Sequence, residues 1–266
     1  MITGASDGIG AAAAEKLVAG GHEVVIVGRS RTKTTAVSNR LKAPFFVTDF
    51  SDLAQVRALA RDLKAAYPRI DVLANNAGGV FGKRTVTTDG HETTFQVNHL
   101  APFLLTTLLL PTLTASGASV VATSSVAARL YSDINPDDWQ SERGYTPNTA
   151  YGNAKLANIL FTKELQRRYG SQGVNAVSFH PGYVASNFAN DTTSWFRIAY
   201  RTPLRHLIMT TPQKAAERLT WLAEGTAGST WQQGGYYDGK KVGTTHTRAA
   251  DDDLARRLWD DSARMV

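Results

Sequence analysis

The chain has 266 residues, 42% of them hydrophobic and 20% charged, with no cysteine. That length suits one large α/β domain or two small ones, and the composition excludes disorder, collagen and coiled coil as the main architecture, as well as a disulfide scaffold, a thiolate metal site and a cysteine nucleophile. Lys and Arg number 29 against 23 Asp and Glu, a net charge of +6, and their scatter favours a solvated surface or a phosphorylated cofactor over nucleic acid.

In chain order, Gly8 to Val18 reads as a helix whose small residues Ala11 to Ala14 can pack close to a sheet, stopped by Gly20 and Gly21. Glu23 to Val27 is a short β-branched run, the pattern of a buried parallel strand, and Ala43 to Thr48 is another. Ser51 and Asp52 start a helix that reaches about Tyr67. Asp71 to Ala74, Ser119 to Thr123 and Asn175 to Phe179 supply further strands. Between them lie helices near Glu92 to Thr112 and Ala150 to Tyr169, the second ending at Gly170. The longest apolar tract, Leu100 to Leu113, is broken by Pro102, Pro111 and threonines and reads as too short to span a bilayer. No secretory signal pattern opens the chain, and a soluble, cytoplasmic protein is expected. With no repeat or linker, the alternation predicts a single-domain α/β Rossmann fold over residues 1–266, a doubly wound parallel sheet with helices on both faces.

The segment Thr3-Gly4-Ala5-Ser6-Asp7-Gly8-Ile9-Gly10 sets three glycines just before the first helix. A pyrophosphate needs this arrangement, because glycine permits φ > 0, keeps Cβ out of the phosphate's path and leaves helix N-terminal N–H groups free to donate. An ordinary strand-to-helix turn has the same look, but the helix and second strand that follow favour the nucleotide site. An NAD site carries Asp or Glu at the end of that strand for the ribose 2′-hydroxyl. Here the run is Val27-Gly28-Arg29-Ser30-Arg31, with two guanidinium groups and a hydroxyl instead. That favours a 2′-phosphate, so NADP(H) is expected over NAD(H). Asp7 is the discordant charge.

Tyr151-Gly152-Asn153-Ala154-Lys155 opens a helix, and the spacing of four sets phenol and ammonium on one face. An ammonium near a phenol stabilises the phenolate, and Tyr151 could then give a proton to a carbonyl oxygen while hydride reaches carbon. Tyr-x-x-x-Lys is common on helices and often means only a surface tyrosine and a solvated lysine. Here Ser124 and Ser125 end a buried strand at the carboxyl edge, where open α/β sheets place their chemistry. Asn98 sits in a mostly apolar helix, where a buried amide needs partners.

Together these residues resemble the short-chain dehydrogenase/reductase family over essentially the whole length. The matching motifs are Thr3-Gly4-x3-Gly8-x-Gly10, Asp49, Asn75-Asn76-Ala77-Gly78, Asn98, Ser125, Tyr151-x3-Lys155 and Pro181-Gly182. Tyr151 through Leu165, His180-Pro-Gly-Tyr-Val184 and Ala255-Arg-Arg-Leu-Trp259 are similar to the retinol-dehydrogenase-like branch, which includes the oxidoreductase found beside WW modules. The resemblance implies Tyr151 as acid/base, Lys155 as its partner and ribose ligand, Ser125 on the substrate oxygen and Asn98 holding a water in a proton relay. It implies a cofactor lined by Gly4, Ser6, Asp7, Gly8, Ile9, Gly10, Arg29, Ser30, Asp49, Phe50, Asn75, Ala77, Gly78, Tyr151, Lys155, Pro181, Gly182, Val184 and Ser186. Asp49 would contact adenine, Asn75 would steady the sheet and the cofactor ribose, and Val184 would offer its backbone to the carboxamide. Two features depart from the family pattern. Only Met1 and Ile2 precede Thr3, so the first strand is expected to be truncated and the native chain to begin upstream. The 25-residue interval between Ser125 and Tyr151 matches the retinol-dehydrogenase-like branch.

Two segments are expected to shape a substrate pocket. One is an insertion at 126–150 with Arg129, Tyr131, Trp139 and Tyr145; the other is a lid at 185–212 rich in aromatic and aliphatic residues. They point to a small hydrophobic aldehyde, ketone or alcohol as substrate. A catalytically silent nucleotide- or partner-binding protein and a reductase of carbon–carbon double bonds are the competing readings. His91, His99 and His180 lack ligand spacing, so no metal is expected. The resemblance leaves a homodimer or homotetramer open.

Overall fold

The computed structural model describes residues 1–182 and 210–266. Among them the strands are β1 (Ile2–Thr3), β2 (Ile26–Gly28), β3 (Phe45–Val47), β4 (Val72–Asn75), β5 (Ser119–Thr123), β6 (Asn175–His180), β7 (Tyr236–Asp238) and β8 (Lys241–Val242). The helices are α1 (Gly8–Ala19), α2 (Arg31–Leu41), α3 (Leu53–Ala66), α4 (Thr93–Phe95), α5 (Ala101–Ser116), α6 (Ala127–Leu130), α7 (Pro147–Tyr169), α8 (Pro212–Glu224) and α9 (Asp252–Met265). The strands form one sheet in the order β3-β2-β1-β4-β5-β6-β7-β8. All pairings are parallel except β7 with β8. The order reverses between β1 and β4, so the loops leaving their carboxyl ends diverge and open a crevice. Short as it is, β1 is paired on both sides, with Ile2 opposite Ile26 and Ala74.

Each face of the sheet is covered for a reason visible in the residues. On one face the alanines of α1 (Ala11, Ala13 and Ala14) lie flush on the strands and join Leu219 and Leu222 of α8. On the other, α3 presents Leu53, Val56, Leu59, Ala60 and Leu63 at helical spacing. Asp52 starts α3, its Oδ1 accepting from Ala54 N and Gln55 N at 2.9 and 3.2 Å. A third cluster, outside the second helix layer, joins Leu156 and Leu160 of α7 to Leu254 and Leu258 of α9 and to Trp139.

Several boundaries differ from expectation. α7 begins at Pro147, because Thr146 caps it and proline suits the first helical position. The helix expected near Glu92 to Thr112 runs on past Pro111 to Ser116. Burying Leu109, Leu110 and Leu113, about 2 kcal/mol each, outweighs the roughly 3 kcal/mol cost of an interior proline. Counted through a π-turn at Gln96–Leu100, this run spans 24 residues, so the apolar tract is long enough to cross a membrane by length and composition. That corrects the length argument. In this fold 56% of its apolar window is buried, against α3 and the sheet.

Candidate active site

At the phosphate end, β1 delivers Thr3 and Gly4 into the crevice. Thr3 Oγ1 donates to Ala74 O at 3.2 Å and accepts from Asn76 N and Ala77 N, both at 3.0 Å. Asn76 Nδ2 donates back to Thr3 O at 3.0 Å. Thr3 and Asn76 thus clamp the two diverging loops together, a role the sequence reading missed although both residues stood in its motifs. Gly4 has φ +65°, and a Cβ there would lie 2.8 Å from Ala77 Cα. A side chain at Gly10 would meet Gly4 O at 2.5 Å. Those glycines let the clamp close.

Asp7 caps α1, accepting from Gly8 N at 2.8 Å, and its second oxygen pairs with Lys33 Nζ at 2.8 Å. The discordant charge is therefore engaged by a cation. Ser30 caps α2, its Oγ accepting from Lys33 N at 3.4 Å, so its hydrogen remains to be donated. Arg29 and Arg31 are exposed and make no ion pair among the described residues. Ser6, Gly8 and Ile9 are half-buried at the same turn. Asp49 Oδ1 is occupied by Ser51, whose N and Oγ donate at 2.9 and 2.8 Å. Phe50 is buried in the core beneath it.

At the catalytic end, Lys155 is buried, and its Nζ donates to Thr123 O at 3.0 Å. Nζ lies 5.4 Å from the centroid of the half-buried Tyr151 ring. Burial pushes the Lys155 ammonium down to about 7. Gly78 lies against this pair: a Cβ there would be 2.4 Å from Asn98 Oδ1 and 3.2 Å from Lys155 Nζ. Asn98 is held on three sides. Its Nδ2 donates to Gly79 O and Thr94 O at 2.9 and 2.8 Å, and its Oδ1 accepts from Gly79 N at 3.2 Å. Thr94 O is the carbonyl four residues back, so the side chain takes an acceptor of the helical ladder where the helix widens into its π-turn.

The serine pair divides its labour. Ser124 Oγ donates to Lys155 O at 2.7 Å inside the core. Ser125 Oγ accepts from Ala127 N at 3.1 Å, which keeps its hydroxyl hydrogen for another acceptor. Asn75 Nδ2 donates to Thr106 Oγ1 at 2.8 Å, while its Oδ1 is buried with no partner among the described residues. Pro181 and Gly182 follow β6 at the same sheet edge, Gly182 with φ +98°. Val184, Ser186 and the lid segment up to residue 209 lie outside the described residues.

The insertion does not all face the site. Trp139 is buried against Phe95, ring centroids 6.4 Å apart, and its Nε1 donates to Asp261 Oδ2 at 2.7 Å. It is a core residue that docks the insertion on α9, which corrects its assignment to the pocket. Tyr145 OH donates to Phe81 O at 3.2 Å, and Arg129 and Tyr131 are exposed. The three histidines have separate partners. His91 Nε2 contacts Met265 O, and His99 Nε2 contacts Ser262 Oγ, both at 2.9 Å. His180 Nδ1 accepts from the backbone.

The family model described as short chain dehydrogenase matches residues 1–196 of this chain. The chain belongs to the short chain dehydrogenase family. Within it the similarity is to retinol-dehydrogenase-like proteins. Human retinol dehydrogenase 13 is 35% identical over 100% of this chain and 83% of its own length. A protein of Streptomyces sp. (strain C5), provisionally named daunorubicin C-13 ketoreductase DnrU, is 41% identical over 100% of this chain and 91% of its own length. Among solved structures, an uncharacterised protein from Mycobacterium paratuberculosis aligns with TM-score 0.80 and 32% identity, covering 99% of this short-chain dehydrogenase and 91% of that chain. The Pseudomonas aeruginosa RhlG/NADP active-site complex aligns with TM-score 0.70 and 25% identity, covering 88% and 91%.

Proposed function

We propose that this short-chain dehydrogenase is an NADP(H)-dependent oxidoreductase acting on the carbonyl or alcohol carbon of a hydrophobic aldehyde, ketone or alcohol, with Tyr151 as acid/base. The observation that carries the reading is the buried Lys155 ammonium set beside the Tyr151 ring and against Gly78 and Asn98, at the sheet edge where the strand order reverses. The residues fit a nicotinamide dinucleotide. Lys155 has three N–H donors and one acceptor, Thr123 O, among the described residues. The buried Asn75 Oδ1 awaits a donor, and the first-turn N–H groups of Ile9 and Gly10 have no intrahelical acceptor. Arg29, Arg31 and Ser30 would hold a 2′-phosphate, and Lys155 and Asn75 the ribose.

When bound, the cofactor supplies or accepts the hydride. The protein's own groups handle the proton and the oxygen. Ser125 donates its remaining hydrogen to the substrate oxygen, and Tyr151 gives that oxygen a proton as negative charge builds on it. The adjacent Lys155 charge favours the phenolate left behind. Asn98, fixed by Gly79 and Thr94, braces the wall beside Lys155. Support for an apolar carbonyl substrate comes from the relatives' names, a ketoreductase and retinol dehydrogenases.

The deciding experiment is titration of the protein with NADPH and NADH, followed by turnover of Tyr151→Phe. NADPH is expected to bind more tightly, and Tyr151→Phe to retain cofactor binding while kcat falls about 100-fold or more. Full turnover in Tyr151→Phe would reject the mechanism, and NADH preference would reject the arginine reading.

A further inference from the structure

His180 closes β6, and no step of the proposed reaction uses it. The residue is buried, and its backbone is fixed by pairing with Asp238 of β7 and by Arg218 Nη1, which donates to His180 O at 2.8 Å. Arg218 also pairs with Asp238 at 2.6 Å, and these two residues are the charges that act on the ring. Burial pushes the imidazole down to about 4, with Asp238 opposing and Arg218 reinforcing the shift, so the ring is neutral at physiological pH. Its Nδ1 accepts from two backbone donors, Val126 N at 3.3 Å and Gly182 N at 3.4 Å. A nitrogen that accepts carries no proton, so the hydrogen of the neutral ring sits on Nε2. One lone pair shared by two donors accounts for both contacts exceeding the usual length of about 2.9–3.0 Å.

The two donors belong to different halves of the site. Val126 follows Ser125, and the next amide, Ala127 N, is held by Ser125 Oγ. Gly182 belongs to the turn after β6 that the family resemblance assigns to the cofactor. We infer that His180 is a positioning residue: its Nδ1 lone pair ties the Ser125 loop to the Pro181-Gly182 turn and so fixes the substrate-holding hydroxyl relative to the cofactor side of the crevice. The kinetic consequence rests on the proposed function; the tie itself rests on the hydrogen bonds alone.

Side-chain geometry supplies a discriminating test. Asn sets its Oδ1 where Nδ1 lies, whereas Gln reaches to the Nε2 position. With NADPH and nonanal as the carbonyl probe, His180→Asn is expected to keep kcat within about threefold. His180→Gln and His180→Ala are expected to lose about 10- to 100-fold, with KM for NADPH less affected, as for a displaced rather than deleted group. Equal losses in the Asn and Gln variants would overturn the inference. A second measurement uses the cofactor-free protein. Nitrogen-15 spectra of the wild type should report an unprotonated Nδ1, and amide exchange at Val126 and Gly182 should quicken about tenfold in the Gln variant but not in the Asn variant. A protonated Nδ1, or exchange unchanged in the Gln variant, would equally overturn it. Should the wild type turn over with neither NADPH nor NADH, the functional reading fails, while the tautomer and exchange data still decide the tie.

Discussion

Replacing Lys155 by Met tests whether the site stores a buried charge. The native ammonium titrates near 7 against 10.5 for the free group, because burial disfavours its charged form. Between those values the unfolded chain keeps a proton that the native protein releases, so stability rises with pH by about 1.4 kcal/mol per unit. The whole window amounts to about 5 kcal/mol, and the part between pH 7 and 9 to about 2 kcal/mol once the half-titrated start is allowed for. Below pH 7 both states are protonated and the penalty is constant. Lys155→Met removes the group, and with it the slope. Its other effects, including loss of the bond to Thr123 O, do not titrate. Urea unfolding of cofactor-free wild type and variant at pH 6, 7 and 9 measures the difference directly. The variant's stability relative to wild type should be greatest at pH 6 and decline by about 2 kcal/mol from pH 7 to 9. A difference that stays flat across that range would mean that Lys155 is hydrated or charge-paired in the native state, and the burial argument would fail.

Other consequences are simpler to check. Arg29→Ala with Arg31→Ala should weaken NADPH binding about 10- to 100-fold by calorimetry and leave NADH unchanged, because charge-assisted bonds to the 2′-phosphate are the only ones removed. Equal weakening of both cofactors would contradict their assignment. Gly78→Ala drives a methyl to within 2.4 Å of Asn98 Oδ1 and 3.2 Å of Lys155 Nζ. Thermal unfolding should register a cost of about 1–3 kcal/mol, and kcat should fall more than stability explains. Wild-type kcat in a variant of unchanged stability would show that Gly78 does not brace the Asn98–Lys155 pair.

The residues that line the candidate site were legible where the proposed chemistry needs local spacing. The glycines before α1, the Tyr151–Lys155 pair and the two arginines after β2 are short-range signals. What stayed hidden depends on residues far apart. The tie between Trp139 and Asp261 spans 122 positions, so nothing in the insertion marks Trp139 as core rather than pocket. α2 escaped because Arg31–Leu41 is mostly polar, and its buried face is Thr34, Val37 and Ser38. α9 was the avoidable miss: Asp251 caps it, and Leu254, Ala255, Leu258 and Trp259 recur at helical spacing. The π-turn at Asn98 has no sequence signature, since it arises where a side-chain amide competes for Thr94 O. Thr3 looked like the preface to a glycine motif and is in fact the clamp across the crevice.

The way α9 is fastened bears on how the protein is made. Met265 O receives His91, Ser262 holds His99 next to Asn98, and Asp261 holds the indole of the insertion. All three anchors are synthesised more than 100 positions after their partners. A nascent chain that has emerged only as far as α7 can close the glycine-rich edge between β1 and β4. Its Asn98 turn and insertion, however, expose His99 and Trp139 to water until α9 arrives. The glycine-rich half of the candidate site can therefore assemble early in translation, while the half around Asn98 and the insertion is completed only once α9 has emerged.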